Sequence, residues 1–137
     1  MKKLKISYRI PEEKEVVEKA LDVLEDRKEV RSLYEFHELV LRRLKKVSRS
    51  YRLSPRRLLR IAAISREIKI KVEKRHSDKK SKLCPLCGSE MIYLRRRNLA
   101  GELIMKGRKC SVCGYSVERE NLVPGRYIFI FDHDFRS

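Results

Sequence analysis

The chain of 137 residues is strongly basic, with 35 Lys and Arg against 19 Asp and Glu and a net charge of +16. This length suits one domain or two small ones, and 42% hydrophobic residues suffice for a modest core. No apolar run approaches the roughly 18 residues of a transmembrane helix, and no apolar segment follows the basic start as it would in a signal peptide. We therefore expect a cytoplasmic protein with a polyanionic partner and no membrane segment.

The first third of the sequence predicts one strand and two helices. The segment Leu4–Ile10 alternates apolar and polar residues, as a half-buried strand does. Apolar residues at helical spacing predict a first helix at Glu12–Arg27. Ser32 and Glu35 form a capping box, which predicts that a second helix begins there and continues to Tyr51.

A third helix, a strand and a linker follow. Ser54 and Pro55 have the residue types of an N-cap and of a first helical position. Alternation over residues 68–72 predicts a strand. The polar stretch 75–82 is expected to be a linker, so that a basic helical domain would cover residues 1–74.

Positive charge is concentrated in the middle of the chain. Residues 1–38 contain nine basic and ten acidic residues, whereas residues 39–66 contain ten basic residues and no acidic one. A segment with one sign of charge repels itself unless an anion lies nearby, so we expect a nucleic-acid-binding face here. The candidate contact residues are Arg42, Arg43, Lys45, Lys46, Arg49, Arg52, Arg56, Arg57 and Arg60.

The four cysteines form two matching pairs, Cys84 with Cys87 and Cys110 with Cys113, each within a Cys-x-x-Cys-Gly motif. Two such knuckles supply the four soft thiolates of a structural zinc site. A four-thiolate shell leaves no open position for water or substrate. We therefore expect one structural Zn²⁺ and no chemistry at the metal.

Between the two knuckles the sequence predicts a β-hairpin. Met91–Leu94 and Leu103–Met105 are its two expected strands, and Asn98–Gly101 is the expected turn. Arg95, Arg96 and Arg97 would then lie at the hairpin tip, where arginines can bind phosphate or stack on bases. We include these three among the candidate nucleic-acid-binding residues.

The C-terminal segment predicts a further strand within a metal-binding domain that would cover residues 83–137. This strand is expected at Arg126–Phe131, after a turn at Pro124-Gly125. Asp132-His133-Asp134 has the residue types of a metal site. Neighbouring residues on a strand point to opposite faces, so these three cannot all face one ion, and we interpret them as a strand end.

The order of knuckle, hairpin, knuckle and returning strand over Leu83–Val117 resembles a zinc ribbon. A basic helical region followed by a ribbon is similar in layout to the zinc-ribbon subunit of archaeal ribonuclease P. It is also similar to the beta subunit of archaeal translation initiation factor two. The resemblance implies an archaeal protein of RNA processing or translation. The absence of Gln and Thr, with abundant Lys, Arg and Glu, favours a thermophilic source.

A second resemblance lies at the N-terminus. The strand Leu4–Ile10, the first helix and the Ser32-capped helix together resemble a ribbon-helix-helix DNA-binding unit. In that family, two strands from a dimer enter the major groove. The resemblance implies that Lys5, Ser7 and Arg9 would contact bases.

Together these patterns predict an α+β protein with a small helical N-terminal domain, short strands and a C-terminal β zinc ribbon. We expect a non-catalytic protein that binds structured RNA in a ribosome or ribonucleoprotein, alongside protein partners. No Gly-rich phosphate loop, nucleophile elbow or paired catalytic carboxylates occur in the sequence, so we expect neither an enzyme nor a small-molecule substrate. The alternatives are a dimeric DNA-binding transcription regulator and a protein-docking module.

Overall fold

The computed structural model describes residues 9–77, 83–118 and 122–132 of an α+β protein. The helices are α1 (Glu13–Arg27), α2 (Leu33–Val47) and α3 (Pro55–Ile64). The strands are β1 (Glu29–Val30), β2 (Ile68–His76), β3 (Met91–Arg97), β4 (Leu103–Cys110), β5 (Ser116–Val117) and β6 (Leu122–Phe131). They form two sheets, with strand orders β1-β6-β2 and β3-β4-β5. The predicted α+β class is confirmed.

The starts of α2 and α3 are fixed by local chemistry. Ser32 Oγ accepts a hydrogen bond from the Glu35 N–H at 3.4 Å, and Ser54 Oγ accepts one from the Arg57 N–H at 3.1 Å. Each bond satisfies an N–H that has no partner within its helix. Pro55 occupies the first position of α3, where it sacrifices no intrahelical bond.

Helix α2 ends at Val47, earlier than its apolar spacing predicts. Ser48 is its C-cap, with an extended backbone, and the Tyr51 N–H donates to the Ser48 carbonyl oxygen at 3.2 Å. Arg49 and Tyr51 therefore lie in the loop before α3. A ring nitrogen of His37 on α2 donates to the carbonyl oxygen of Leu53, which holds this loop against the helix.

The described residues group into two compact units. Residues 9–71 with 127–132 form the first, which we call the helical unit, and the described residues of 72–126 form the second, which we call the metal unit. We predicted instead a boundary after residue 74 and a C-terminal strand within the metal-binding domain. Residues 75 and 76 belong to β2 rather than to a linker.

The end of β6 belongs to the helical unit because it completes that unit's core. The ring of Phe129 stacks on Phe36 of α2 with centroids 4.4 Å apart, and both side chains are fully buried. Strand β1, which the sequence did not predict, pairs antiparallel with β6 at Val30 and Phe129.

No helix in the described ranges is long and apolar enough to cross a membrane.

The predicted turn at Pro124-Gly125 lies inside β6. Pro124 lies outside the β1–β6 ladder, which joins β6 at Phe129 and Ile130, so its missing N–H takes no bond from that ladder. A Cβ on Gly125 would lie 3.3 Å from the Arg75 side chain, so a glycine suits this close approach to β2.

Residues 4–8 of the predicted N-terminal strand Leu4–Ile10 lie outside the described residues, as do His133 and Asp134. Arg9 is described and forms a parallel bridge with Tyr51. The ribbon-helix-helix resemblance therefore stays a prediction.

Candidate metal centre

The two cysteine knuckles bring four sulfur atoms together. The Sγ atoms of Cys84, Cys87, Cys110 and Cys113 all lie within 4.8 Å of one another. Two of the distances are 3.5 Å, between Cys84 and Cys113, and 3.4 Å, between Cys87 and Cys110. The structure thus assembles one cluster from two pairs that have 22 residues between them in the sequence.

The two knuckles share one backbone design. In each, the N–H of the first cysteine donates to the carbonyl five residues later, at 2.7 Å in both cases. The glycine N–H donates back to that first cysteine's carbonyl, at 2.9 Å for Gly88 and 3.0 Å for Gly114. The two glycines have φ of +81° and +83°, which side chains disfavour, and each would have open space for a Cβ. Backbone conformation, rather than crowding, therefore requires glycine here.

The donor set fits a single zinc ion. Tetrahedral zinc with Zn–S bonds of about 2.3 Å places its sulfurs about 3.8 Å apart, within the range of the distances found here. A disulfide would need an S–S distance of about 2.05 Å, and all four cysteines are free. The four cysteines are positioned to bind one metal ion, consistent with a structural Zn²⁺.

The thiols differ in acidity. Burial raises the pKa of Cys84 and of Cys113 above the ordinary 9.0. Burial acts in the same direction at Cys87, but hydrogen bonds from the side chain and backbone of Ser89, and then the contact with Cys110, lower its pKa to about 7. A metal must therefore displace protons from the more basic thiols, as zinc does at thiolate sites generally. We did not predict this role of Ser89 from the sequence, where its one distinguishing feature is that it follows the knuckle glycine.

Buried side chains surround the cluster. Leu86 and Tyr115, from the two knuckles, are both buried. The Lys74 ammonium lies 5.7 Å from the centre of the Tyr115 ring and donates to the Ser116 carbonyl at 2.9 Å. Arg108 is also buried and lies on the same face of β4 as Cys110.

A β-bulge shapes the hairpin beside the cluster. Strands β3 and β4 pair from Met91–Cys110 to Leu94–Gly107, and the register then shifts so that Arg95 pairs with Met105. One extra residue on β4 is thereby left between the paired positions. The returning strand β5 pairs with β4, Val117 opposite Arg108. The hairpin and the returning strand were predicted from the sequence, and the bulge was not.

The candidate cations of residues 39–66 divide into two groups. Arg42 pairs with Glu38 at 2.5 Å, Arg43 pairs with Asp26, and Arg57 is half-buried and donates to the Pro11 carbonyl at 2.9 Å. Arg52 is exposed and also interacts with neighbouring groups. Five others are exposed and have no ion pair within the described residues: Lys45, Lys46, Arg49, Arg56 and Arg60.

The three hairpin arginines lie on strand β3, whereas we predicted them at the tip of the hairpin. Arg95, Arg96 and Arg97 are its last three residues and are all exposed. The turn itself runs from Asn98 to Glu102, and Arg97 donates to the Gly101 carbonyl at 2.8 Å. Arg96 projects from the face opposite to that of its two neighbours.

Comparison of the chain with protein-family models, with curated proteins and with solved structures gave no match. What the chain binds must therefore be inferred from its own donor atoms and charges. The four-cysteine cluster is the best-defined binding site among the described residues.

Proposed function

We propose that the protein is a non-catalytic nucleic-acid-binding protein whose metal unit is a zinc ribbon with one structural Zn²⁺. Its preferred target is structured RNA in a ribosome or ribonucleoprotein. The observation that carries the proposal is the set of exposed cations at Lys45, Lys46, Arg49, Arg56 and Arg60, which have no ion pair in the described ranges. Such cations are the footprint of phosphate binding.

Internal neutralisation covers only part of the basic segment. The ion pairs of Arg42 and Arg43 leave Lys45 and Lys46 without a carboxylate partner among the described residues. Both lie in the last turn of α2, where they also favour the helix dipole by roughly 0.3–1 kcal/mol each. That benefit explains two cations on one helix end, but it does not explain a 28-residue stretch free of acidic residues.

The zinc-ribbon assignment is supported by the order of elements. A hairpin joins two knuckles, and β5 returns to pair with β4, giving the strand order β3-β4-β5. The closed four-thiolate set suits a structural ion, because it leaves no coordination position for a substrate.

The ribbon supplies a second set of cations. Arg95 and Arg96 are exposed and make no ion pair in the described part of the chain. Arginine binds phosphate in a bidentate manner and stacks on unpaired bases, which suits RNA loops and bulges. The preference for RNA over DNA rests on the resemblance to ribonuclease P and translation-factor ribbons.

Charge reversal on α2 tests the proposal. We expect Lys45→Glu/Lys46→Glu to weaken binding of an RNA hairpin by at least about tenfold, since two phosphate contacts become repulsions. Fluorescence anisotropy with RNA and DNA hairpins of the same sequence measures both the affinity and the preference.

The matched control is Lys69→Glu/Lys71→Glu, which makes the same change in net charge at two exposed positions of β2. An equal loss in both variants would mean that net charge, and not this face, drives binding, and would contradict the proposal. Tight binding only to a DNA duplex by a dimeric protein would instead favour the ribbon-helix-helix alternative.

A docking role for the ribbon is the second candidate, favoured by one specific observation. Ile92, Leu94 and Ile104 are exposed and share one face of the β3–β4 hairpin. Exposed apolar clusters of this kind commonly contact a partner protein. If docking is the ribbon's role, Arg95→Glu/Arg96→Glu leaves RNA affinity unchanged while Ile92→Asp abolishes a protein contact in the native particle.

A further inference from the structure

Helices α1 and α3 border a groove of about 490 Å³ on the helical unit. Its apolar surface comes from Val17 and Leu21 of α1 and from Ile61 and Ile64 of α3. Ile64 is 46% exposed although it is a large aliphatic residue at the end of a helix. A volume of this size falls within the range of ligand pockets.

The charged residues that line this groove are mostly acidic. Three carboxylates, Glu13, Glu18 and Glu67, lie beside a single cation, Lys14. Glu13 and Glu18 are exposed and form no ion pair with any described residue. In a chain with a net charge of +16, an acid-lined apolar groove is a local reversal of the prevailing sign.

We infer that this groove, the α1–α3 groove, is a docking site for a basic amphipathic segment of a partner protein. The segment would place apolar side chains against Leu21, Ile61 and Ile64 and its Lys or Arg residues against Glu13 and Glu18. This is the helix-in-groove mode of peptide recognition, in which apolar anchors recur at i, i+3, i+4 and i+7.

Charge complementarity selects this occupant over others. An acidic segment would meet like charges at Glu13 and Glu18, and nucleic acid would be repelled in the same way. The net positive charge of the protein does not prevent docking, because salt at about 0.15 M screens charges beyond roughly 8 Å. Carboxylates at the groove itself therefore dominate the local interaction. The inference is independent of nucleic-acid binding, since none of the groove residues belongs to the cationic set.

The test uses the full-length protein at about 0.15 M salt. The probe is a fluorescein-labelled Leu/Lys peptide with leucines at i, i+3, i+4 and i+7, and a second peptide replaces each leucine by serine at the same charge. We expect the Leu/Lys peptide to bind at least about tenfold more tightly than the Leu-to-Ser peptide, because it also buries apolar surface.

The groove variant is Glu13→Lys/Glu18→Lys, and its matched control is Asp22→Lys/Glu25→Lys, which changes the charge of α1 equally outside the groove. The groove variant should weaken Leu/Lys binding about tenfold and the control less than about twofold. All four positions are at least partly exposed, and helical circular dichroism verifies that both variants fold.

Three results would overturn the inference. The first is no binding of the Leu/Lys peptide, and the second is equal weakening by the two double variants, which would indicate diffuse attraction to α1. The third is a dimer in sedimentation of the protein alone that Glu13→Lys/Glu18→Lys dissociates, because the groove would then be occupied by a second copy of this chain.

Discussion

Gly107 on strand β4 lies against the backbone of strand β5. Its φ is +140°, and a Cβ added there would lie 2.2 Å from the carbonyl oxygen of Val117. No side-chain rotation relieves that contact, because the clashing atom belongs to the backbone. Gly107→Ala should therefore destabilise the metal unit by about 3 kcal/mol or more, through backbone strain and the lost β4–β5 pairing. Urea denaturation followed by a metal-release dye measures this loss.

Gly101 provides the control for that substitution. Its φ is +80°, but a Cβ there would meet no atom within 4 Å. Gly101→Ala should cost only the strain of a left-handed alanine, about 1–2 kcal/mol. Equal effects of the two substitutions would mean that the approach of Val117 to Gly107 contributes nothing.

Tyr51 links the loop after α2 to α1. Its hydroxyl donates to Glu15 Oε2 at 2.8 Å, and this bond, together with burial, raises the pKa of Tyr51 above the ordinary 10.0. The fold thus favours the neutral phenol. Its stabilising contribution is complete below pH 10.0 and is lost as the pH rises through the raised folded-state pKa.

Tyr51→Phe keeps the ring and removes the hydroxyl. We expect the variant to be less stable than the wild type at neutral pH and the difference to narrow above pH 10.0. Urea denaturation across this pH range measures the difference. Tyr34→Phe is the matched control, since Tyr34 is 77% exposed and should show neither effect. A constant difference between wild type and Tyr51→Phe at all pH values would contradict this account.

Residues could be predicted from sequence where their role is set by near neighbours. The four cysteines and the two knuckle glycines were identified because a Cys-x-x-Cys-Gly motif closes its own turn. Gly107 could not be identified in this way. Its requirement comes from Val117, a residue that reaches it only after β5 has folded back.

Elements follow the same division between local and long-range causes. The starts of α2 and α3 were predictable because Ser32 and Ser54 cap donors three residues away. Strand β1 has only two residues, and the extent of β6 includes a proline and a glycine. The end of β6, Arg126–Phe131, was predicted from its local pattern. Strand β1 and the first residues of β6 were not, because their pairing partners are distant in the sequence.

Metal removal should unfold the β3–β4 hairpin but leave helix α2 folded. The hairpin β3–β4 is nearly all exposed along β3, so little apolar burial holds it and the metal must supply much of its folding free energy. We expect chelation to abolish hydrogen-exchange protection of the β3–β4 amides while the amides of α2 stay protected. Exchange measured by mass spectrometry before and after chelation tests this.

Two additional samples complete that experiment. Re-addition of Zn²⁺ should restore protection, and Cys84→Ser should match the chelated protein because it leaves three thiolates. Unchanged protection of β3 and β4 after verified metal loss would show that the cluster is not what holds the hairpin.

In the molecule as a whole, acidic residues and unpaired cations are concentrated on different elements of the described structure. Acidic residues dominate α1, and its Asp26 pairs with Arg43. Cations without carboxylate partners among the described residues lie at the end of α2, in the following loop, on α3 and on β3. A protein that bound nucleic acid through these positions would use one set of contacts from each unit.

The salt dependence of RNA affinity measures whether both units contribute phosphate contacts. With six to ten phosphate contacts, affinity for an RNA hairpin should fall by about 10³–10⁵ between 50 and 200 mM salt. Lys45→Ser/Lys46→Ser and Arg95→Ser/Arg96→Ser should each lower the slope of log K against log salt by about two. The quadruple variant should lower it by about four, because no described ion pair is shared between the two sets. A flat response in the wild type would contradict phosphate binding altogether. If one double variant kept the wild-type slope, the RNA would contact only the other unit.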